Sequence, residues 1–240
     1  MGSAPDVVKA KAWDLSVFTS RVAINNAWQI SQAWDYLIYP EDFPDARLPE
    51  VAPHSNQRLV VASEFVPHQN SFGGFVYAGG TMAFTAGYWA LGALKPDVLA
   101  FVGCDMVYSA PAGQSSHFYG EGTPDPLRAD ITLQSLEAKS VRLLSFAQAQ
   151  DCAVINLSEN AESRLLFPRM SITDLQQETD QRSILPRQRN MLTTAAVEQA
   201  LQAEQTAGFM VPSGRYWEVE DQLDEAVLKA IDAKWLAAVV

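Results

Sequence analysis

The sequence predicts an α/β fold with a doubly wound, mostly parallel sheet and a helical C-terminal extension. Short apolar runs rich in β-branched residues alternate with longer segments of helical periodicity. The runs are continuously apolar, which is typical of strands covered on both faces. Hydrophobic residues make up 48% of the 240 residues, which suffices for a packed core. This length fits one large domain or a domain with an appendage.

Five apolar runs are the predicted strands: Arg21–Asn25, Tyr36–Tyr39, Leu59–Ala62, Val98–Gly103 and Ala153–Leu157. Val98–Gly103 is expected to be a central strand, because its run is apolar on both faces. The predicted helices are Asp6–Asp14, Gly80–Leu94, Thr132–Gln150, Thr193–Ala207 and Glu218–Ala238. His54 and His68 are expected in loops flanked by proline.

The helical segments differ in their predicted exposure. Gly80–Leu94 is apolar nearly all round and is expected to be buried against the sheet. Thr132–Gln150 is amphipathic, with Glu137, Lys139 and Arg142 expected to face water. An apolar stripe on the last helix predicts either core contact or the face of a homo-oligomer; its residues are Leu223, Val227, Ile231 and Trp235.

Composition shifts after about Pro168, where a loop with three arginines and a polar helix begin. We therefore interpret residues 1–168 as the α/β unit and residues 169–240 as a helical extension packed on it. Cys104 and Cys152 lie in or beside apolar runs, where free thiols pack as small hydrophobes. This placement predicts neither a disulfide framework nor a cysteine-based zinc site.

The charge balance excludes some classes of partner. The chain has 17 Lys and Arg against 28 Asp and Glu, a formal net charge of −11. Non-specific nucleic-acid binding and docking to anionic membranes both need a basic face. No apolar stretch approaches the twenty residues of a transmembrane helix, and no signal segment is evident. We expect a cytoplasmic protein in a reducing compartment.

Three small polar segments are candidate ligand contacts. Gly2 and Ser3 precede Pro5 at the start of a predicted helix, where backbone N–H groups can bind phosphate. Asn25 and Asn26 end the first strand, at the sheet edge that lines ligand crevices in α/β proteins. A capped helix and an asparagine turn are the purely structural alternatives. The third segment, which opens the buried helix, is Gly79, Gly80 and Thr81.

Candidate reacting groups follow the fourth predicted strand. Asp105 and Tyr108 end that strand, and the loop Ser109–Asp125 carries His117, Tyr119 and Glu121. Imidazole is well suited to proton transfer near neutral pH. We expect this polar loop to carry the reacting groups and to be mobile without ligand. The structural alternative for His117 is a hydrogen bond to the backbone.

In their order along the chain, several segments within residues 1–168 resemble the bacterial lipooligosaccharide sialyltransferases. They also resemble a wider group of Rossmann-like proteins that includes archaeal hydroxymethylpterin diphosphokinases. The matching segments are GSAPD, AINNAW, GGTMAFTAGYWALGA, VGCDMVY, HFYGEGTPDPL, LQSLEAKSVRLL and CAVINLSENAESR. The resemblance implies a Rossmann-like nucleotide-binding transferase domain that uses a CMP-activated sugar donor and a glycan or small-molecule acceptor.

The resemblance also implies roles for individual residues. Asn25 would contact the nucleotide, and Thr81 would contact the donor or its phosphate. Tyr108 and Tyr119 would bind phosphate oxygens. His117 or Glu121 would take the acceptor proton, because Glu121 stands where the family has its proposed base histidine.

The resemblance to the sialyltransferases implies no cofactor and no metal site. A diphosphokinase-like transferase is the alternative, which would use Mg²⁺ and carboxylates such as Asp105 and Asp125. A third possibility is a catalytically inactive nucleotide-binding protein.

One departure concerns the start of the fold. The family opens with a strand before its glycine-containing loop, whereas Met1 directly precedes that loop here. A missing central strand would expose the edges of its neighbours, so we expect some compensation in this region.

Overall fold

Two parallel sheets form the framework of the protein in a computed structural model that describes residues 1–52, 55–107, 117–120 and 130–240. The first sheet pairs β1, β2 and β3 in that order, and the second pairs β4 with β5. The strands are Val22–Ile24, Tyr36–Ile38, Arg58–Val60, Val98–Phe101 and Ala153–Asn156. Each overlaps a predicted run, so the mixed α/β class is confirmed, while a doubly wound sheet stays a prediction.

Helices surround the two sheets. In chain order, α1 to α8 are Ala62–Ser71, Phe75–Ala78, Met82–Ala93, Leu136–Ala149, Ile172–Gln177, Ile184–Gln188, Thr194–Ala207 and Glu225–Leu236. Short 3₁₀ helices are Pro5–Ala12, Leu15–Val17, Asn25–Gln29, Asp45–Arg47, Ile131–Leu133, Gln181–Ser183, Arg189–Met191, Tyr216–Glu218 and Glu220–Gln222. None of the helices in the described ranges has the length and apolar character needed to cross a bilayer.

The central position predicted for Val98–Gly103 is wrong. Its strand, β4, pairs along one side with β5 and stands at the edge of a two-stranded sheet. Val98, Leu99 and Ala100 are accordingly half-buried, whereas every residue of β5 is buried. The run is apolar because the second edge of β4 faces an apolar cavity.

Several helix bounds also differ from the prediction. The first predicted helix is the 3₁₀ helix Pro5–Ala12. The Thr132–Gln150 segment divides at Ser135, whose hydroxyl accepts a hydrogen bond from the Ala138 N–H and caps α4. His68 lies in α1 rather than in a loop, although Pro67 is inside that helix. His54 lies outside the described residues.

The helix α3 is buried as predicted, and α4 corrects the predicted exposure of its basic residues. Lys139 and Arg142 are buried, because each meets a carboxylate from the C-terminal helices. The Lys139 ammonium lies 2.6 Å from Asp232 Oδ1 on α8. The Arg142 guanidinium donates two hydrogen bonds of 2.8 Å to Glu204 on α7. A buried charge of this kind is tolerated when it is paired.

The C-terminal helices share the core of the α/β part. The side chains of Ile231 and Trp235 on α8 are buried in the cluster that contains α3 and α4 residues. The Trp235 indole N–H donates to Glu204 Oε1 at 2.7 Å. The apolar stripe of the last helix is therefore core contact.

The first residues of the chain connect the two sheets. The Met1 amino group donates to the Val22 carbonyl oxygen at 2.8 Å, and the Met1 carbonyl oxygen accepts from Ile24 N at 3.0 Å. Gly2 N donates to the Val102 carbonyl oxygen at 2.8 Å. A Cβ on Gly2 would lie 2.3 Å from the Gly103 carbonyl oxygen, so this close approach requires glycine. These bonds tie the first residues of the chain to the end of β1 and to the residue that follows β4.

Candidate functional site

A cleft of about 930 Å³ opens at the carboxyl ends of β1, β2, β3 and β4. The residues that follow these strands line it, including Asn25, Pro40, Ala62 and Gly103. Ligands of open parallel sheets bind at this edge, and a volume of 300–1,000 Å³ is usual for a small-molecule site. The fold therefore places a pocket of ligand size where the sequence predicts a nucleotide.

The N-terminal loop forms one side of the cleft. Gly2, Ser3 and Ala4 line it, and Ala4 N donates to the Gly103 carbonyl oxygen at 2.9 Å. Gly103 has a φ of +67°, and a Cβ there would lie 2.7 Å from Val7 Cβ. Two glycines thus allow the loop to pack closely against the end of β4.

Asn25 and Asn26 line the cleft directly after β1. Asn25 has a φ of +53°, a left-handed conformation that asparagine tolerates better than most residues. Its Oδ1 is buried and has no hydrogen-bond partner among the described residues. A buried amide oxygen without a partner is costly, so this atom is a ready acceptor for a ligand donor.

The start of α3 forms the floor of the cleft, with Gly80, Thr81 and Met82 among its lining residues. The Thr81 hydroxyl accepts from Phe84 N at 3.3 Å and caps the helix. Gly80 N donates to Thr132 Oγ1 at 2.9 Å. Gly79, with a φ of +87°, is not among the lining residues. The helix end brings partial positive charge to this part of the cleft.

A second helix also begins at the cleft. Ala62, Phe65 and Val66 in the first turns of α1 line it. The residue before α1, Val61, has no side chain that can cap the helix. Two helix N-termini therefore meet one cavity in a chain that carries a net negative charge.

His117 and Tyr119 also line the cleft. Both residues belong to the long loop after β4. The Phe118 N–H donates to the Ser3 carbonyl oxygen at 3.0 Å, which attaches this segment to the N-terminal loop. The rings of His117 and Tyr119 lie 5.0 Å apart. Partial burial lowers the pKa of His117, which favours the neutral imidazole that a general base requires.

The remaining predicted reacting groups are not in the described cleft. Tyr108 and Glu121 lie outside the described residues, as do Asp125 and most of the loop Ser109–Asp125. Asp105 is buried behind the cleft, where its carboxylate accepts hydrogen bonds from Asn156, Ser158 and Asn160. This cluster joins the ends of β4 and β5.

The C-terminal part of the chain forms a wall of the cleft that was not predicted from the sequence. Tyr216 and Trp217 line the cleft, and Tyr216 Oη donates to Asp130 Oδ2 at 2.5 Å. A Cβ on Gly80 would lie 2.1 Å from Tyr216 Oη, so the two walls fit only with glycine. The one signal in the sequence is the aromatic pair in the turn VPSGRYW.

Two arginines reach the rim of the cleft. Arg215 lies 3.3 Å from Glu41 Oε2 and 3.7 Å from Glu218 Oε1. Arg47 also lines the cleft, and it is exposed. Exposed arginine at such a rim suits a phosphate or carboxylate ligand.

Within the described ranges, no group of three or more His, Cys, Asp or Glu is arranged to hold a metal ion. Comparison with protein-family models, curated proteins and solved structures finds no match in any of the three.

Proposed function

We propose that the cleft binds a sugar nucleotide and that the protein is a glycosyltransferase of sialyltransferase type. It would transfer a sugar from a CMP-activated donor to a hydroxyl group of a glycan or small molecule. The observation that carries the proposal is the convergence of three predicted segments on one cleft: Gly2–Ser3, Asn25–Asn26 and Gly80–Thr81. The proposal includes a doubly wound, Rossmann-like arrangement of the sheet.

The chemistry of the walls supports a nucleotide. Two helix N-termini and the backbone of the N-terminal loop offer N–H groups and partial positive charge for a phosphate. The Asn25 carboxamide can bind polar groups of the base or the ribose. Trp217, with 55% of its surface exposed, offers an aromatic face at the rim.

His117 is the described residue best placed to act as the base. In the proposed reaction the acceptor hydroxyl attacks the anomeric carbon, and the bond from that carbon to the phosphate oxygen breaks. CMP leaves with the bonding electron pair, while the acceptor proton passes to the neutral His117 imidazole. Removing such a base lowers turnover by about 10²–10⁴-fold.

Ligand titration separates the candidate functions. Thermal unfolding would be measured with CMP, CDP, UDP, GDP and ATP, with and without Mg²⁺. A nucleotide at a hundred times its Kd stabilises the fold by about 2.7 kcal/mol. Stabilisation by CMP without Mg²⁺ is the expected result. Strict dependence on Mg²⁺ would favour the diphosphokinase-like alternative, and no response to any nucleotide would refute the proposal.

Turnover is tested by CMP release from CMP-sialic acid in the presence of a glycan acceptor. His117→Ala should lower kcat by about a hundredfold while CMP binding stays near the wild-type value. His68→Ala, a histidine change on α1 outside the cleft lining, is the matched control. Nucleotide binding without turnover by the wild-type protein would indicate the catalytically inactive alternative.

A further inference from the structure

The C-terminal wall of the cleft is an aromatic pair in which one ring is buried and the other is exposed. Tyr216 is 5% exposed, whereas Trp217 is 55% exposed, and both residues line the cleft. Their ring centroids lie 5.4 Å apart in an edge-to-face arrangement. The Tyr216 ring also stacks on Phe75, with 6.4 Å between the ring centroids. The exposed indole is therefore supported from behind by a buried ring and offers an apolar surface to a ligand.

The Asp130 carboxylate connects this wall to the start of α3. Its Oδ2 accepts from Tyr216 Oη at 2.5 Å, and its Oδ1 accepts from the backbone N–H and the hydroxyl of Thr132 at 2.8 and 2.7 Å. Thr132 Oγ1 accepts in turn from Gly80 N at 2.9 Å. Gly80 stands two residues before the first residue of α3. One carboxylate thus joins the aromatic wall to the segment that leads into the helix, through hydrogen bonds of the stronger, charge-assisted kind.

The wall and the start of the helix also touch directly. A Cβ on Gly80 would lie 2.1 Å from Tyr216 Oη and 3.2 Å from Thr132 Oγ1. The Tyr216 hydroxyl is therefore confined between the backbone of Gly80 and the carboxylate of Asp130. The backbone of Gly80 prevents a closer approach of the wall to the helix, and the bond to Asp130 opposes its movement away from the helix.

These two parts of the cleft match the two ends of a nucleotide. The N-terminus of α3 carries partial positive charge, which suits the phosphate. The exposed indole of Trp217 suits the base, because every nucleobase has a flat face that stacks on aromatic side chains. A ligand that reaches both parts gains affinity from the second contact, because that contact is intramolecular once the first has formed. This gain is largest when the separation of the two parts is fixed before binding.

We propose that Asp130 is a positioning residue that sets the separation between the aromatic wall and the start of α3. It acts through Tyr216 and Thr132, not through a contact of its own with the nucleotide. The inference rests on the proposed function, because it takes the nucleotide to span both parts of the cleft. A whole nucleotide should consequently depend on Asp130 more strongly than either of its two halves.

The test compares CMP with its two halves, cytidine and inorganic phosphate, by NMR titration of the complete chain. Asp130→Ala removes the carboxylate, and Tyr216→Phe removes only the hydroxyl bonded to it and keeps both rings of the wall. Each variant should raise the Kd for CMP about tenfold or more, while the Kd for cytidine and the Kd for phosphate change less than about twofold. The control Tyr36→Phe removes a tyrosine hydroxyl from outside the cleft lining and should leave all three affinities unchanged.

The outcomes separate this inference from the function on which it rests. Wild-type CMP affinity in either folded variant would overturn the positioning role. An equal loss of affinity for CMP, cytidine and phosphate would also overturn it, because Asp130 would then only maintain the local fold. If Asp130→Ala does not fold, Tyr216→Phe decides the question alone. Failure of the wild-type protein to bind CMP would refute the proposed function, and this inference with it.

Discussion

Asn25 offers a direct test of nucleotide binding because its backbone and side chain can be separated. The residue holds a φ of +53°, and its buried Oδ1 has no partner among the described residues. Glycine adopts positive φ at no steric cost, so Asn25→Gly removes the carboxamide and keeps the turn. Asn25→Ala also removes the carboxamide, but its Cβ disfavours the left-handed conformation by about 1–2 kcal/mol.

The expected effect on binding follows from one lost hydrogen bond. A ligand group left unpaired in the cleft costs about 1–3 kcal/mol, which raises the Kd about 5- to 150-fold. Titration calorimetry with CMP should show this rise for both variants. Urea unfolding should show a loss of stability for Asn25→Ala that exceeds that of Asn25→Gly. Wild-type CMP affinity in Asn25→Gly would remove this side chain from the site.

Other predictions concern the core and the titrating groups. Glu204→Ala should lower the free energy of unfolding, measured in urea, by about 3–5 kcal/mol, because it leaves the Arg142 guanidinium buried without its carboxylate partner. The control is Glu198→Ala, at an exposed position of the same helix. A loss under about 1 kcal/mol in Glu204→Ala would contradict the prediction. Burial lowers the pKa of His117, so the unfolded chain binds more protons as pH falls below about 6.5 and the fold loses stability there. His117→Asn should reduce this loss between about pH 7.5 and 5.5, and identical pH profiles of unfolding would refute it. Burial raises the pKa of Cys104 to about 11 and of Cys152 to about 12. Iodoacetamide near pH 8 should therefore label both thiols only after the protein unfolds. Mass spectrometry that finds a labelled cysteine in the folded protein would contradict this prediction.

Strand positions were accessible from the sequence because each strand is a short continuous apolar run. The partners of a strand are not local information, which is why β4 was expected at the centre of a sheet rather than beside a cavity. The helix α1 was missed because Pro67 and a polar stretch interrupt its apolar pattern. The helix α1 packs against α3, and tertiary packing of this kind supplies most of the stability of helices in proteins.

The burial of charged residues also depends on partners that are distant in the sequence. Lys139 and Arg142 are spaced as a solvated helix face, yet their carboxylate partners come from residues more than sixty positions away. In the cleft, Asn25 and Asn26 could be located because they follow a strand, and the glycine segments because they precede helices. Tyr216 could not, because its contact with Asp130 depends on how the C-terminal helices pack.

We expect the two buried ion pairs on α4 to affect when the protein can finish folding during its synthesis. Lys139 and Arg142 leave the ribosome before the helices that carry Glu204 and Asp232. Until then, burial of α4 would leave two cations without counter-charges, at a cost of several kcal/mol each. That cost is comparable with the whole stability of a typical domain. We therefore expect a nascent chain ending before α7 to stay loosely packed and sensitive to proteases, and to become resistant only after α8 has emerged.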